Sequence, residues 1–247
     1  MSRTVIVTGA SKGIGLACVQ ALLSKVSNVC VVGVGRSESP LPNSDRFKYV
    51  CGDVCSEEAQ QRSVDAALAF GNGIDGVVFN AGKLGLCGRM ADVRLDELKT
   101  IFDVNLYSII ALAQKTLPHL RVSHGRMIFV SSGAATNAYV GWGPYCMTKA
   151  SLNMLAASFG KEEPSVTSLA LRPGVVETDM QALIRQDGGK AMTPENHAQF
   201  KALFEKGELL KPEVPGNLLA NLVLDLPRDL SGSFLSWNDE KLKVFLS

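Results

Sequence analysis

The segment Thr8-Gly-Ala-Ser-Lys-Gly-Ile-Gly15 constrains this chain more than any other. It follows a short β-branched run, Arg3-Thr-Val-Ile-Val7, and precedes a helical pattern with Leu16, Val19, Leu22 and Leu23 at matching spacings. A buried strand, a glycine-rich turn and a helix make the opening unit of a dinucleotide-binding fold. Glycines let the backbone approach a pyrophosphate, and the helix N-terminus favours its charge. A tight turn without a ligand has the same local pattern, so the segment needs support from further along the chain.

Alternation supplies that support. Strand patterns recur at 29–34, 47–50, 74–79, 126–130, 166–171 and 232–237, with helical patterns between them at 57–70, 95–117, 145–159 and 217–226. Gly71-Asn-Gly73 breaks one helix, and Pro118 is expected to end the next. Strands alternating with helices predict an α/β, Rossmann-type domain, a doubly wound parallel sheet of seven strands spanning 1–247 as one unit. Between 179 and 215 the composition shifts to Gly, Pro and charge, around a helical patch near 196–206. An irregular insertion after a strand end predicts a lid or substrate loop.

Composition excludes several classes. With 46% hydrophobic and 20% charged residues the chain is globular, not disordered. A formal charge of +1 gives no electrostatic case for nucleic acid or an anionic membrane as partner. The cysteines at 18, 30, 51, 55, 87 and 146 are scattered, and only Cys51 and Cys55 are close, without a matching second pair. No metal site is therefore expected, and a reduced, cytoplasmic setting fits. No secretory signal pattern opens the sequence, no apolar run is long enough for a bilayer, and Val-Phe-Leu-Ser247 is no recognisable address signal.

A second cluster carries chemistry. Tyr145 and Lys149 are four apart, one turn along a helix face. An ammonium near a phenol favours the phenolate, so Lys149 is expected to lower the Tyr145 pKa. Ser132, thirteen residues earlier, ends a strand pattern from which its hydroxyl would reach the phenol. These three groups suit protonation of a carbonyl while another molecule delivers hydride. Asn105 lies inside a helical pattern among apolar residues, which predicts burial and a specific partner. Arg36, at the tip of the second strand, faces the expected adenosine ribose, with Lys12 a second cation nearby. An arginine there favours a 2′-phosphate and hence NADP(H), whereas an acid would favour NAD. A solvated surface arginine is the plainer alternative, and Glu38 argues the other way. Asp53 follows the third strand, where an adenine would rest.

Taken together, Thr8-Gly-x-x-x-Gly-x-Gly15, Asn80-Ala-Gly82, Asn105, Ser132, Tyr145-x-x-x-Lys149 and Pro173-Gly174…Thr178 resemble the short-chain dehydrogenase/reductase family in order and spacing. The resemblance spans nearly the whole chain and implies an enzyme. Tyr145 would be the general acid and Ser132 would polarise the carbonyl oxygen. Lys149 would hold the nicotinamide ribose, and Asn105 would distort its helix and seat a relay water. Gly9, Ser11, Lys12, Gly13, Ile14, Gly15, Arg36, Asp53, Asn80 and Gly82 would contact the dinucleotide. Pro173, Gly174, Val176 and Thr178 would bind the carboxamide, Val176 through its backbone.

Two departures from the commonest family pattern stand out. Phe79 precedes Asn-Ala-Gly where many members carry Asn, and the last strand reads Phe234-Leu-Ser-Trp-Asn-Asp239. That ending, with Arg36, resembles a branch that includes sepiapterin reductase and the fungal and bacillar benzil reductases. The implied activity is NADPH-dependent reduction of a vicinal diketone or similar small carbonyl. A broad ketone reductase, an NAD-dependent alcohol dehydrogenase and a non-catalytic NADP-binding regulator are the alternatives. Tyr139 and Trp142 would wall the substrate, with Met180 and Met192 on the loop side, or else all four pack as core. The long helices carrying Asn105 and Tyr145 suggest a homodimer by analogy.

Overall fold

The computed structural model describes every residue except Met1, Val26, Asn72, Leu86, Cys87 and Ser247. The expectations touching Asn72, Cys87 and Ser247 therefore lie outside the described residues. Strand β1 (Arg3–Thr8) carries Val5 and Val7 to one face of the sheet and Ile6 to the other. Both faces are covered, which is why β1 and β2 (Val29–Gly35) read as continuous apolar runs. The remaining strands are β3 (Phe47–Cys51), β4 (Gly76–Phe79), β5 (Arg126–Val130), β6 (Thr167–Arg172) and β7 (Ser233–Ser236). They pair in the order β3-β2-β1-β4-β5-β6-β7, every pairing parallel.

Helices α1 (Gly13–Lys25) and α8 (Glu213–Asp225) cover one face, burying Leu22, Leu218 and Leu222 against Val5 and Val7. Helices α2 (Glu57–Leu68), α4 (Ser108–Ser123) and α5 (Gly143–Glu162) cover the other, through Val64, Leu112 and Leu152. Each such side chain contributes roughly 1.5–3 kcal/mol on burial. Phe79 belongs to this second face: its ring stacks on Phe129 at 4.8 Å, and Phe129 on Phe159 at 6.2 Å. The departure at Phe79 thus fills the core.

Two expectations need correction. The pattern at 95–117 is not one helix ended by Pro118. It forms α3 (Leu95–Phe102), a π-helical turn at Asp103–Tyr107, and α4, which runs through Pro118 to Ser123. Leu120, fully buried beyond the proline, and His124, whose left-handed backbone caps the helix by donating to Leu120 O, offset the missing N–H. Nor is 179–215 largely irregular. It contains α6 (Asp179–Asp187), a 3₁₀ turn at Gly188–Lys190, α7 (Pro194–Glu205) and the start of α8. Thr193 caps α7 by accepting from Asn196 N, ahead of Pro194 at the first helical position.

Candidate active site

The chain leaves β1 toward β2 and β3 but places β4 on its other side, so a crevice opens beyond the C-terminal ends of β1 and β4. Thr8 and Asn80 fasten those two ends together. Thr8 Oγ1 accepts from the backbone N–H groups of Asn80 and Ala81, both at 3.0 Å. Asn80 Nδ2 donates to Thr8 O at 2.9 Å and Gly9 O at 3.3 Å. Gly9 turns here with φ +68, and a Cβ on Gly15 would stand 2.2 Å from Gly9 O, so neither site admits a side chain. Asn80 therefore shapes the glycine turn as well as lining the crevice.

A cleft of about 710 Å³ runs along this edge. Gly9, Ser11, Lys12, Gly13, Ile14, Arg36 and Asp53 line one end; Ser132, Tyr145 and Lys149 line the other. Asn80, Gly82, Pro173, Gly174, Val176 and Thr178 join the two. Of the expected site residues, Gly15 and Asn105 lie behind this lining. Arg36 is exposed and forms no ion pair among the described residues. Lys12 is engaged otherwise than expected: its ammonium pairs with Asp179 at the start of α6. Thr178, whose methyl would meet a Cβ on Gly13 at 3.3 Å, brings that carboxylate over the glycine turn.

At the other end Ser132 caps a short 3₁₀ turn, its Oγ accepting from Ala134 N at 3.1 Å. The same hydroxyl faces the Tyr145 phenol and acts to lower its pKa. Tyr145 and Lys149 face one way from α5, and the Lys149 ammonium stands 5.6 Å from the Tyr145 ring centre. Lys149 Nζ donates to Val130 O at 2.7 Å. Burial pushes the Tyr145 phenol up to about 12, against a smaller lowering by the Ser132 hydroxyl. Burial likewise lowers Lys149 to about 8. The expected depression of Tyr145 by Lys149 is thus absent here: desolvation outweighs a neighbour whose ammonium is turned to a carbonyl.

Asn105 is fully buried within the π-helical turn. Its Oδ1 accepts from Lys83 N at 2.9 Å, and its Nδ2 donates to Lys83 O at 2.8 Å and Thr148 Oγ1 at 3.2 Å. Thr148 Oγ1 in turn donates to Tyr145 O at 2.8 Å. Such turns frequently mark functional positions in a helix. Thr148 escaped sequence reading, although its place between Tyr145 and Lys149 was a signal. The backbone after Pro173 is also placed: Leu210 N donates to Val175 O and Glu177 N to Leu210 O, at 2.9 and 2.8 Å. This parallel bridge turns the N–H of Val176 to the opposite side.

Tyr139, Trp142 and Phe200 close the end that holds Ser132, Tyr145 and Lys149, Trp142 stacking on Phe200 at 5.3 Å and meeting Tyr145 edge-on at 6.0 Å. Phe200 and Leu84 were not anticipated; Phe200 comes from α7, far off in sequence. Met180 lines the cleft, whereas Met192 packs in the apolar cluster behind it. The wall is at once lining and core. Cys146 packs against the same cluster, its Sγ donating to Asn137 O at 3.7 Å. Among the described residues no group of three or more His, Cys, Asp or Glu is arranged to hold a metal ion.

An extended cleft on the strand ends, with a glycine turn at one end and a serine–tyrosine–lysine cluster at the other, defines a nucleotide-dependent oxidoreductase. The chain belongs to the short-chain dehydrogenase family, whose model matches residues 3–189. It is 38% identical over 242 residues to an uncharacterized oxidoreductase of Schizosaccharomyces pombe, with 95% of this chain and 96% of that one covered. It is 36% identical over 258 residues to a benzil reductase ((S)-benzoin forming) of Saccharomyces cerevisiae, with 98% of each covered. The crystal structure of a Saccharomyces cerevisiae short chain dehydrogenase/reductase matches with a TM-score of 0.97 at 36% identity, over 100% of both chains.

Proposed function

We propose that the protein is an NADPH-dependent carbonyl reductase acting on a vicinal diketone of the benzil type, or a similar small carbonyl. The observation that carries this reading is one uninterrupted cleft with Arg36 at one end and Ser132, Tyr145 and Lys149 at the other. The residues fit a dinucleotide. The glycine turn leaves room for a pyrophosphate at the N-terminus of α1, and Arg36 offers a fork to a 2′-phosphate. Discounted for exposure, such a pair contributes up to about 1 kcal/mol toward NADP over NAD. Val176 N–H and the Thr178 hydroxyl would orient the carboxamide, and Lys149 the ribose.

A reduced nicotinamide held there would supply the hydride that the carbonyl carbon accepts. Ser132 donates a hydrogen bond to the carbonyl oxygen, and the Tyr145 hydroxyl gives up its proton to that oxygen as charge develops. A phenol held near 12 stays protonated at neutral pH, the state a general acid for reduction needs. Lys149 would return a proton to Tyr145 and be resupplied from solvent through a water seated by Asn105. Tyr139, Trp142 and Phe200 offer an aromatic wall to a phenyl-bearing substrate and exclude water.

Glu38, exposed two residues beyond Arg36, favours a rival reading as an NAD-dependent alcohol dehydrogenase; comparing rates with NADPH and NADH separates the two. The described cysteines are free thiols, and among the described residues no helix is long and apolar enough to cross a membrane, in keeping with a cytoplasmic enzyme. Exposed Met147 and Met154 on α5 suit a homodimer contact. The direct test follows NADPH absorbance on adding benzil. We expect turnover by the native protein and a loss of about 10²–10⁴-fold in Tyr145→Phe with dinucleotide binding retained. Near-normal turnover in that variant would refute the acid assignment.

A further inference from the structure

Arg172 has no role in the chemistry above, yet it lines the same end of the cleft as Ser132, Tyr145 and Trp142. It closes β6, with its backbone held by the β7 pairing and by Trp237 N donating to Arg172 O at 2.8 Å. Its guanidinium lies flat against Gly133, the residue after Ser132. A Cβ on Gly133 would stand 3.0 Å from Arg172 Nε and 3.1 Å from Cζ. Glycine at that position thus allows a planar fork to rest one residue from the hydroxyl assigned to the carbonyl.

No carboxylate pairs with Arg172 among the described residues. The other side chains at this end are largely apolar, among them Leu84, Trp142, Met180 and Phe200. An always-charged, multi-donor group beside an apolar wall is suited to an acceptor that the substrate brings.

We propose that Arg172 is a specificity-determining residue that binds a second oxygen adjacent to the reducible carbonyl, selecting vicinal dicarbonyls and 2-oxo acids over simple ketones. The inference rests on the carbonyl-reductase reading and adds a residue and a discrimination to it. Arg172 is the exposed last residue of β6, so its donors stay solvated without a partner, and the discrimination comes from the charge-assisted hydrogen bond that only a substrate with the second oxygen gains.

The test compares three probes with NADPH: benzil, benzoylformate, and deoxybenzoin, in which two hydrogens replace one benzil oxygen. The native protein should favour benzil and benzoylformate over deoxybenzoin by about tenfold or more in kcat/KM. Arg172→Met should shrink that ratio by about 3–10-fold, the discounted value for an exposed charge-assisted pair. Gly133→Ala, which displaces the fork without removing it, should shrink it in the same direction and guards against a folding defect in the first variant. Thermal melts and NADP binding check that both variants are folded. Equal losses on all probes, or an unchanged ratio in Arg172→Met, would overturn the assignment. If the native protein reduces deoxybenzoin as well as benzil, the Arg172 proposal fails and the carbonyl-reductase reading survives. Reduction of none of the three with either nicotinamide sinks both.

Discussion

At the scale of single residues, the proposed catalytic end holds two groups that burial shifts in opposite directions, each toward its neutral form. Burial keeps Tyr145 neutral by raising it to about 12 and favours neutral Lys149 by lowering it from 10.5 to about 8. The lysine shift has a definite sign in stability. Between pH 8 and 10.5 the unfolded chain holds a proton that the folded one has released, so stability rises with pH across that window. Below it, the buried charge is a constant cost. Compared with Lys149→Met, the native protein should gain on the order of 2–3 kcal/mol between pH 7.5 and 10.5 in denaturant melts. The Tyr145 contribution is common to both proteins and cancels in the difference, as does the pH-independent loss of the bond to Val130. Parallel stability curves would contradict the shift.

At the scale of elements, the π-helical turn is the feature that joins sequence to site. One extra residue in the helical turn lets Asn105 face inward, where it clamps both backbone groups of Lys83 and reaches Thr148. Lys83 and Gly82 line the cleft, so this clamp ties that stretch of wall to Thr148 on α5. Asn105→Ala should cost about 1–3 kcal/mol of stability, the usual range for a buried hydrogen-bonding group left without its partner. Turnover should fall by about tenfold as the cleft wall loosens. Calorimetry paired with steady-state kinetics checks both; a stability loss without a kinetic one would confine Asn105 to scaffolding. The burial of Asn105 was legible from its apolar neighbours, and a helix distortion was implied by the family resemblance. The run of α4 through Pro118 was not, because a proline's local cost is visible in sequence while the distant burial that offsets it is not. Helix α6 was missed for a related reason: its start at Thr178-Asp179 reads as loop until Ile184 is seen packing with Trp142 and Phe200.

At the scale of the whole molecule, both expected subsites open on one edge of one sheet, so dinucleotide binding should stabilise the entire domain. At about 100 times its Kd, a ligand specific to the folded state adds about 2.7 kcal/mol. For a domain of this size that corresponds to a rise of about 5–10 °C in Tm. NADP should give that rise, NAD at the same concentration clearly less, and Arg36→Ala should bring the two together. Equal shifts in the native protein would return Arg36 to the status of a solvated surface charge.

By itself the sequence determined the parallel α/β layering and the glycine turn, and it singled out Ser132, Tyr145, Lys149 and Asn105 as the proposed site. These rest on period, on backbone freedom at glycine and on spacing along one helix, all local properties of the chain. Tertiary structure alone decided that Lys12 turns to Asp179, that Lys149 bonds Val130, and that Phe200 stacks on Trp142. It also decided the direction of the Tyr145 shift. Those outcomes depend on what is excluded from water and on which distant segments meet, and neither is written in any one stretch of residues.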